Sequence, residues 1–550
     1  MRVANAIAEI LKREGVEFLV AYPVNALIEA CAQVDIRTII VRQERTGIHM
    51  ADAFSRMNSG KKIGVFACQN GPGAENAFGG IAQAYSESVP LVFIPAGYGR
   101  NLTNVYPNFN SALNYRNVTK WSEQVVTPAA VVEAMRRAFT QVRNGRPGPA
   151  LIEVPGDVWR EEVPGTEDGL NYTPTRSARY APDPADVAAA AQALADAERP
   201  VIYAGQGVHY AEAWDELREL AELLEAPVTT SLEGKSAFPE THPLSLGSGG
   251  RSLPKPVWDF LQASDLICGI GCSFGRTSYG IQFSPAKTYI HNTVDPTDLN
   301  KDIPSKYPLV GDAKLTLQAL TAELRERLEG RARGKTQAVA AEIGRQKAEW
   351  MQAWSAKLNS EETPLSPYRV IRDLTQTVDV ANTIITHDAG SPRDQISPFW
   401  PAVTPLSYIG WGKTTQLGYG LGLAMGAKLA RPDKLCINVW GDAAIGMTGM
   451  DFETAARERI PILSILLNNF SMAIELAVMP VSTEKYRSTD ISGNYADFAC
   501  ALGGYGERVM RPEDIVPAIK RGMAANQEGR PALLEFITQK ETQISSFGRG

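Results

Sequence analysis

The stretch Leu435-Cys-Ile-Asn-Val-Trp440, continuing as Gly441-Asp-Ala-Ala-Ile-Gly-Met-Thr-Gly-Met-Asp-Phe-Glu-Thr-Ala-Ala-Arg-Glu-Arg-Ile-Pro-Ile-Leu-Ser-Ile-Leu-Leu-Asn468-Asn469, decides the fold. An apolar run of strand length meets a Gly-Asp pair, a helix-length segment follows, and a second apolar run ends in two asparagines. This is a strand–helix–strand unit of a parallel sheet. Asp442 and Asn469 therefore stand at the C-terminal ends of neighbouring strands, the edge where open α/β sheets bind ligands. A carboxylate and an amide oxygen on one rim are hard ligands that suit Mg²⁺ bridging to a diphosphate, with the backbone N–H groups of Ala443 and Ala444 free for phosphate oxygens. Taken singly, Asp442 reads as a helix cap and Asn468-Asn469 as a turn. The ordered set is far more specific than either.

Outward from this unit the same rhythm recurs. Phe18-Leu-Val-Ala21, Thr38-Ile-Ile-Val41, Ile63-Gly-Val-Phe-Ala67 and Leu91-Val-Phe-Ile94 are short apolar runs separated by helix-length segments, the pattern of parallel sheets with crossover helices. Residues 164–186, rich in Pro, Gly and polar side chains, and the charged helical segment 321–365 interrupt it and suit connectors. The expectation is an α/β protein with doubly wound parallel-sheet domains at 1–165, 186–330 and 366–535 and a tail at 536–550. The 550 residues fit three domains at roughly 150 residues each. A faint repeat links the outer two, since a helix enters a strand through Val89-Pro90 in one and Ile460-Pro461 in the other.

The 55 basic and 61 acidic residues give a net charge of −6, which excludes a broadly basic nucleic-acid-binding surface but leaves room for a local anion pocket. The 6 cysteines are too few and scattered for a disulfide framework, and Cys268-Gly-Ile-Gly-Cys272 has the wrong gap for a redox or zinc pair. Val3, Ile7, Ile10 and Leu11 share one face of an N-terminal amphipathic helix, unlike a signal peptide, and no run approaches the ~18 apolar residues that span a bilayer. The expected setting is the cytoplasm, without nucleic-acid or membrane partners.

On the Gly441–Asn469 segment the sequence resembles the thiamine diphosphate enzymes of the acetolactate synthase and pyruvate decarboxylase superfamily, and the resemblance covers nearly the whole chain. It implies Mg²⁺ on Asp442, Asn469 and the backbone carbonyl of Ser471, with the diphosphate near Gly441, Ala443, Ala444 and the Gly390-Ser391 loop. The usual Gly-Asp-Gly of that superfamily is Gly-Asp-Ala here, which keeps the backbone donor. Val41-Arg-Gln-Glu44 resembles the element whose glutamate hydrogen-bonds the aminopyrimidine of the cofactor, and Asn70-Gly-Pro-Gly73 resembles the turn against that ring. There Gly71 and Gly73 allow close approach. Gln43 stands where the family often has His. Leu417 falls where a bulky apolar residue holds the cofactor bent, while His387 caps or packs. The resemblance also implies a homodimer or homotetramer with active sites at the subunit interface.

Three features bear on the reaction. Glu475, six residues beyond Asn469, matches an acid/base glutamate of pyruvate-decarboxylase-like enzymes and is otherwise a helix-surface residue. The run His242 to Pro254 is similar to the 2-hydroxyacyl-CoA lyase and oxalyl-CoA decarboxylase subgroup. That similarity implies Arg251 and Ser252, aided by Lys255, Arg276 and Arg549, at the adenine nucleotide end of coenzyme A; ADP or FAD is the other occupant considered for this domain. Tyr106 aligns with a tyrosine that reaches the thiazolium in that subgroup. The tail Gln543–Gly550 reads either as a lid over CoA or as a loose end. The resulting expectation is a lyase that cleaves a 2-hydroxyacyl-CoA into formyl-CoA and an aldehyde or ketone, reversible as a carboligase. Its alternatives are an acetolactate synthase-like carboligase or 2-oxo acid decarboxylase without CoA, and an oxalyl-CoA decarboxylase-like activity.

Overall fold

The apolar runs become the interiors of three six-stranded, all-parallel sheets. The computed structural model describes residues 1–329, 331 and 333–548. Strands such as Gly64–Cys68, Ala150–Pro155 and Leu463–Asn468 are buried at every position, as expected where helices cover both faces of a sheet. The first sheet, from Phe18–Tyr22 to Ala150–Pro155, and the third, from Thr383–His387 to Ala532–Ile537, have the same strand order, 2-1-3-4-6-5 when each is numbered along the chain. The repeat read from Val89-Pro90 and Ile460-Pro461 is thus a repeat of topology, because Leu91–Gly97 and Leu463–Asn468 are the fourth strand of their respective sheets. The middle sheet runs 3-2-1-4-5-6, and its order reverses between Pro200–Ala204 and Leu266–Ile270.

The outer sheets are joined through two helices. Glu44–Met57 lies against Tyr419–Ala430, and residues of both enter one continuous apolar core. A Cβ at Gly422 would stand 2.4 Å from the Cβ of His49, and one at Gly426 would stand 2.2 Å from the carbonyl oxygen of Met50. Glycine at these positions is what lets the helix backbones meet. At the contact, Arg56 forms a buried ion pair with Asp52 at 2.7 Å, donates to the carbonyl of Gly410 at 2.9 Å and donates to the hydroxyl of Tyr419 at 3.0 Å. Tyr419 in turn donates to Asp52.

The charged segment after the middle domain is the helix Thr336–Leu358, which buries Ile343, Trp350 and Trp354. All six cysteines are unpaired, and no helix among the described residues is long and apolar enough to cross a membrane. The helix contact yields one expectation. Gly426→Ala should lower stability by about 1–3 kcal/mol through overpacking, although alanine is favoured in an isolated helix by about 1 kcal/mol. Urea denaturation measures the balance, and a stabilised variant would contradict the close approach.

Candidate active site

The C-terminal edge of the third sheet forms a cleft with about 700 Å³ of empty space. Gly390, Ser391, Leu417, Gly441, Asp442, Ala443, Ala444, Asn469, Ser471 and Glu475 all line it. The sequence separates the first of these from the last by 85 positions, yet the strand ends bring them together. Asp442 follows Leu435–Gly441, and Asn469 follows Leu463–Asn468.

Asp442 is 4% exposed and accepts from the N–H groups of Ala443 at 2.9 Å and Ser471 at 3.0 Å. Asn469 Oδ1 also accepts from Ser471 N–H, at 2.9 Å. Burial raises the Asp442 carboxyl above its ordinary range, with backbone donors pulling it partly back. None of these donors carries a positive charge. A buried carboxylate without a counter-charge, beside an amide oxygen and the buried, unpartnered Ser471 hydroxyl, fits a hard divalent cation. The described residues contain no cluster of three His, Cys, Asp or Glu that could hold a metal, so one carboxylate with amide and carbonyl oxygens is the donor set available.

Two glycines with positive φ bear on the cleft, Gly390 in its lining and Gly418 next to the lining residue Leu417. Gly390 has φ +82° and precedes the short helix Ser391–Ile396, and Gly418 has φ +87° just after Leu417. Asp388, which the sequence reading passed over, ties these turns together. Its buried carboxylate accepts from Ala389 at 2.8 Å and from Gly418 and Gly420, each at 2.9 Å. Burial outweighs these bonds and pushes it up to about 6. Its position directly after strand Thr383–His387 was the available signal, the same edge rule that singled out Asp442. His387 packs, being fully buried and stacked on Trp411 with ring centroids 4.8 Å apart.

Glu44 belongs to a different part of the chain's surface and does not line this cleft. It is 3% exposed at the start of Glu44–Met57, and burial raises its carboxyl while Asn76, donating at 3.4 Å, lowers it. The Asn70–Gly73 turn passes over it. A Cβ on Gly73 would lie 3.4 Å from Glu44 Oε1, and Gly71 has φ +61° with a Cβ position only 2.6 Å from the Tyr98 hydroxyl. The candidate residues thus fall into two groups, one on each outer domain.

Several of the residues expected at coenzyme A have other partners in this fold. Ser252 is buried and donates to the carbonyl of Ser545 at 3.2 Å; Leu253 N–H donates to the same carbonyl at 2.8 Å, and Ser545 Oγ returns a bond to Leu253 at 2.7 Å. The tail therefore occupies the loop that was to hold the nucleotide. Arg251 lies 4.0 Å from Asp394, Lys255 pairs with Asp259, and Arg276 is exposed. Tyr106 is 94% exposed and lines neither cleft, while Arg549 lies outside the described residues. The middle domain instead opens a larger cleft, about 1510 Å³ of empty space, at the point where its strand order reverses. Gly205, Gly207, Gly271, Arg179 and Lys413 are among its walls.

Residues 1–122, 187–320 and 388–536 match the families described as thiamine pyrophosphate enzyme N-terminal TPP binding domain, central domain and C-terminal TPP binding domain. Among relatives, the "Probable acetolactate synthase large subunit" of Methanocaldococcus jannaschii is 30% identical across 98% of this chain and 92% of its own. The acetolactate synthase large subunit of Corynebacterium glutamicum is 29% identical across 99% and 88%, and that of Haemophilus influenzae 28% across 93% and 90%. These relatives overturn the CoA-dependent expectation, whose local Arg-Ser resemblance is outweighed by similarity over the full length. The Asp388 anchor can be tested by pH. Its folded carboxyl lies above the unfolded value, so its stabilising contribution is complete below about pH 4 and lost as pH rises through about 6. The stability deficit of Asp388→Asn against wild type should shrink by on the order of 1 kcal/mol between pH 5 and 8 in chemical denaturation. A constant deficit would contradict the assignment.

Proposed function

From the chain's membership of the thiamine pyrophosphate enzymes of acetolactate synthase and pyruvate decarboxylase type, we propose that it is a thiamine diphosphate- and Mg²⁺-dependent carboligase. It would join two 2-oxo acids with loss of CO₂ from the first. The observation that carries this reading is the convergence of Asp442, Asn469, Ser471, Gly390 and Leu417 on one cleft, in a chain similar over nearly its full length to proteins named acetolactate synthase.

When bound, thiamine diphosphate supplies an acidic ring carbon and a sink for the electron pair left behind by CO₂. The chain's own residues position and move protons. Asp442, Asn469 Oδ1 and the Ser471 carbonyl would hold Mg²⁺, and the N–H groups of Ser391, Ala443 and Ala444 would take phosphate oxygens. Leu417 would press on the cofactor and keep it bent. Glu44 would hold a proton at the pyrimidine ring, and burial raises its carboxyl above the usual range, which favours the protonated form.

Because Glu44 does not line the Asp442 cleft, a complete site in this reading uses two copies of the chain. Exposed Phe78 and Tyr85 on one half, and Met447 and Met450 on the other, support such a pairing. For the middle cleft we read a nucleotide, ADP or FAD, supported by its place at the sheet's switch point. Six unpaired cysteines support a cytoplasmic setting. One observation favours a second reading. Glu475 sits half-buried in the Asp442 cleft, where a carboxyl group that has picked up a proton from solvent could pass it to the product carbon and allow release of an aldehyde.

Incubation with pyruvate, Mg²⁺ and thiamine diphosphate tests both readings. Acetolactate as the main product supports the carboligase, acetaldehyde supports the decarboxylase, and no pyruvate consumption rejects both. Glu44→Gln should lower kcat by about 10²-fold or more; unchanged turnover with saturating cofactor would remove its role as proton carrier. Asp442→Ala should lose cofactor on desalting in the presence of Mg²⁺, and full retention would refute the metal assignment.

A further inference from the structure

Leu417 belongs to no helix or strand. It lies in the connection between Tyr408–Ile409 and Tyr419–Ala430, and something must hold that connection for Leu417 to press on a cofactor. On its C-terminal side Asp388 does so, through Gly418 and Gly420. On its N-terminal side the partners come from the other half-site, namely the helix Pro72–Ser86 and its C-terminal cap Glu87.

Gln83 is 1% exposed, and its Oε1 accepts from the Thr414 hydroxyl at 2.9 Å and from Gln416 N–H at 3.2 Å. Its Nε2 donates to the Thr414 carbonyl at 3.2 Å and to Glu87 Oε1 at 3.3 Å. Glu87 is fully buried, and its Oε1 accepts from the N–H groups of Gly412 at 3.2 Å and Lys413 at 2.8 Å. The Gln416 side chain is taken in turn by His49, at 3.1 Å. Backbone groups of residues 412, 413, 414 and 416 are therefore satisfied by two side chains of the first domain rather than by secondary structure. A buried backbone group left unpaired costs about 1–3 kcal/mol, so the array fixes the connection rather than merely touching it.

We propose that Gln83 and Glu87 are positioning residues that set Leu417 against the bound cofactor. The same helix starts at the Gly71–Gly73 turn over Glu44, so one rigid element carries a wall of one half-site and the clamp of the other. The inference rests on the reading of Leu417 given above.

Three variants separate the possibilities: Gln83→Met, which keeps volume but removes every bond; Thr414→Val, a milder cut at the exposed end of the array; and Leu417→Ala as reference. The first readout is amide hydrogen exchange of 410–418 in cofactor-free protein. The second is the rate at which the reactive ring proton of bound thiamine diphosphate exchanges with D₂O without substrate. Gln83→Met should speed amide exchange and slow ring-proton exchange, each by about tenfold, the equivalent of losing one buried bond. KM for the 2-oxo acid should stay within about twofold, because uniform binding is untouched. Thr414→Val should move both rates the same way by a smaller factor, and serves alone if Gln83→Met does not fold. Glu87→Leu, which removes the acceptor for Gly412 and Lys413, should move both rates in the same direction as Gln83→Met. If Leu417→Ala slows ring-proton exchange while Gln83→Met and Thr414→Val do not, the proposal is overturned and the reading of Leu417 stands. If Leu417→Ala has no effect, both fall.

Discussion

The close packing of Glu44–Met57 on Tyr419–Ala430 governs everything above it. At Gly422 and Gly426 the helix backbones approach so nearly that no side chain fits between them, and the buried Arg56–Asp52 pair with Tyr419 fixes their register. Removing one member of such a buried pair strands a charge, which is why these contacts behave as a unit. The packing also dictates where chemistry can occur. Glu44 opens one of these two helices, whereas Asp442 lines the cleft at the end of the third sheet without it.

A second constraint is electrostatic. Asp442, Asp388, Glu44 and Glu87 are buried, and burial is the first cause raising the pKa of each. Glu87 is pushed up to about 7 by burial and by Glu233, with Lys413 and Arg56 opposing. Such groups destabilise a fold at neutral pH, and they persist where the positions serve another purpose. In the reading proposed above, Asp442 would face a divalent cation and Glu44 would carry a proton. Asp388 and Glu87 instead bracket Leu417 through backbone N–H groups. The net −6 of the chain is compatible with the proposed diphosphate ligand, because backbone donors and a bound divalent cation could hold it without basic side chains.

Much of this was legible in the sequence, for physical reasons that differ by element. The parallel sheets were readable because strands buried on both faces must be continuous apolar runs, as at Gly64–Cys68 and Leu463–Asn468. The Asp442 cleft was readable because strand ends put chemistry at predictable offsets. Asp388 carried the same strand-end signal and was passed over, whereas Gln83 and Glu87 were not singled out because they satisfy backbone groups far along the chain. Gln83 and Thr414 are separated by 331 residues, and no local pattern encodes that distance.

The coenzyme A reading, overturned by full-length similarity to acetolactate synthases, also rested on a local motif. Arg251-Ser252 has side chains able to grip a phosphate, but whether they are free to do so depends on what else needs them. Here the hydroxyl of Ser252 and the backbone of Leu253 are taken by Ser545, whose own hydroxyl also accepts from Trp350 at 2.9 Å. That knot ties the tail to both the middle domain and the helix Thr336–Leu358. Since Thr538 and Gln539, at the start of the tail, line the Asp442 cleft, the knot restrains one wall of that cleft from a distance. A loop motif reports the donors a chain possesses, and the tertiary fold decides which of them are still unspent when a ligand arrives.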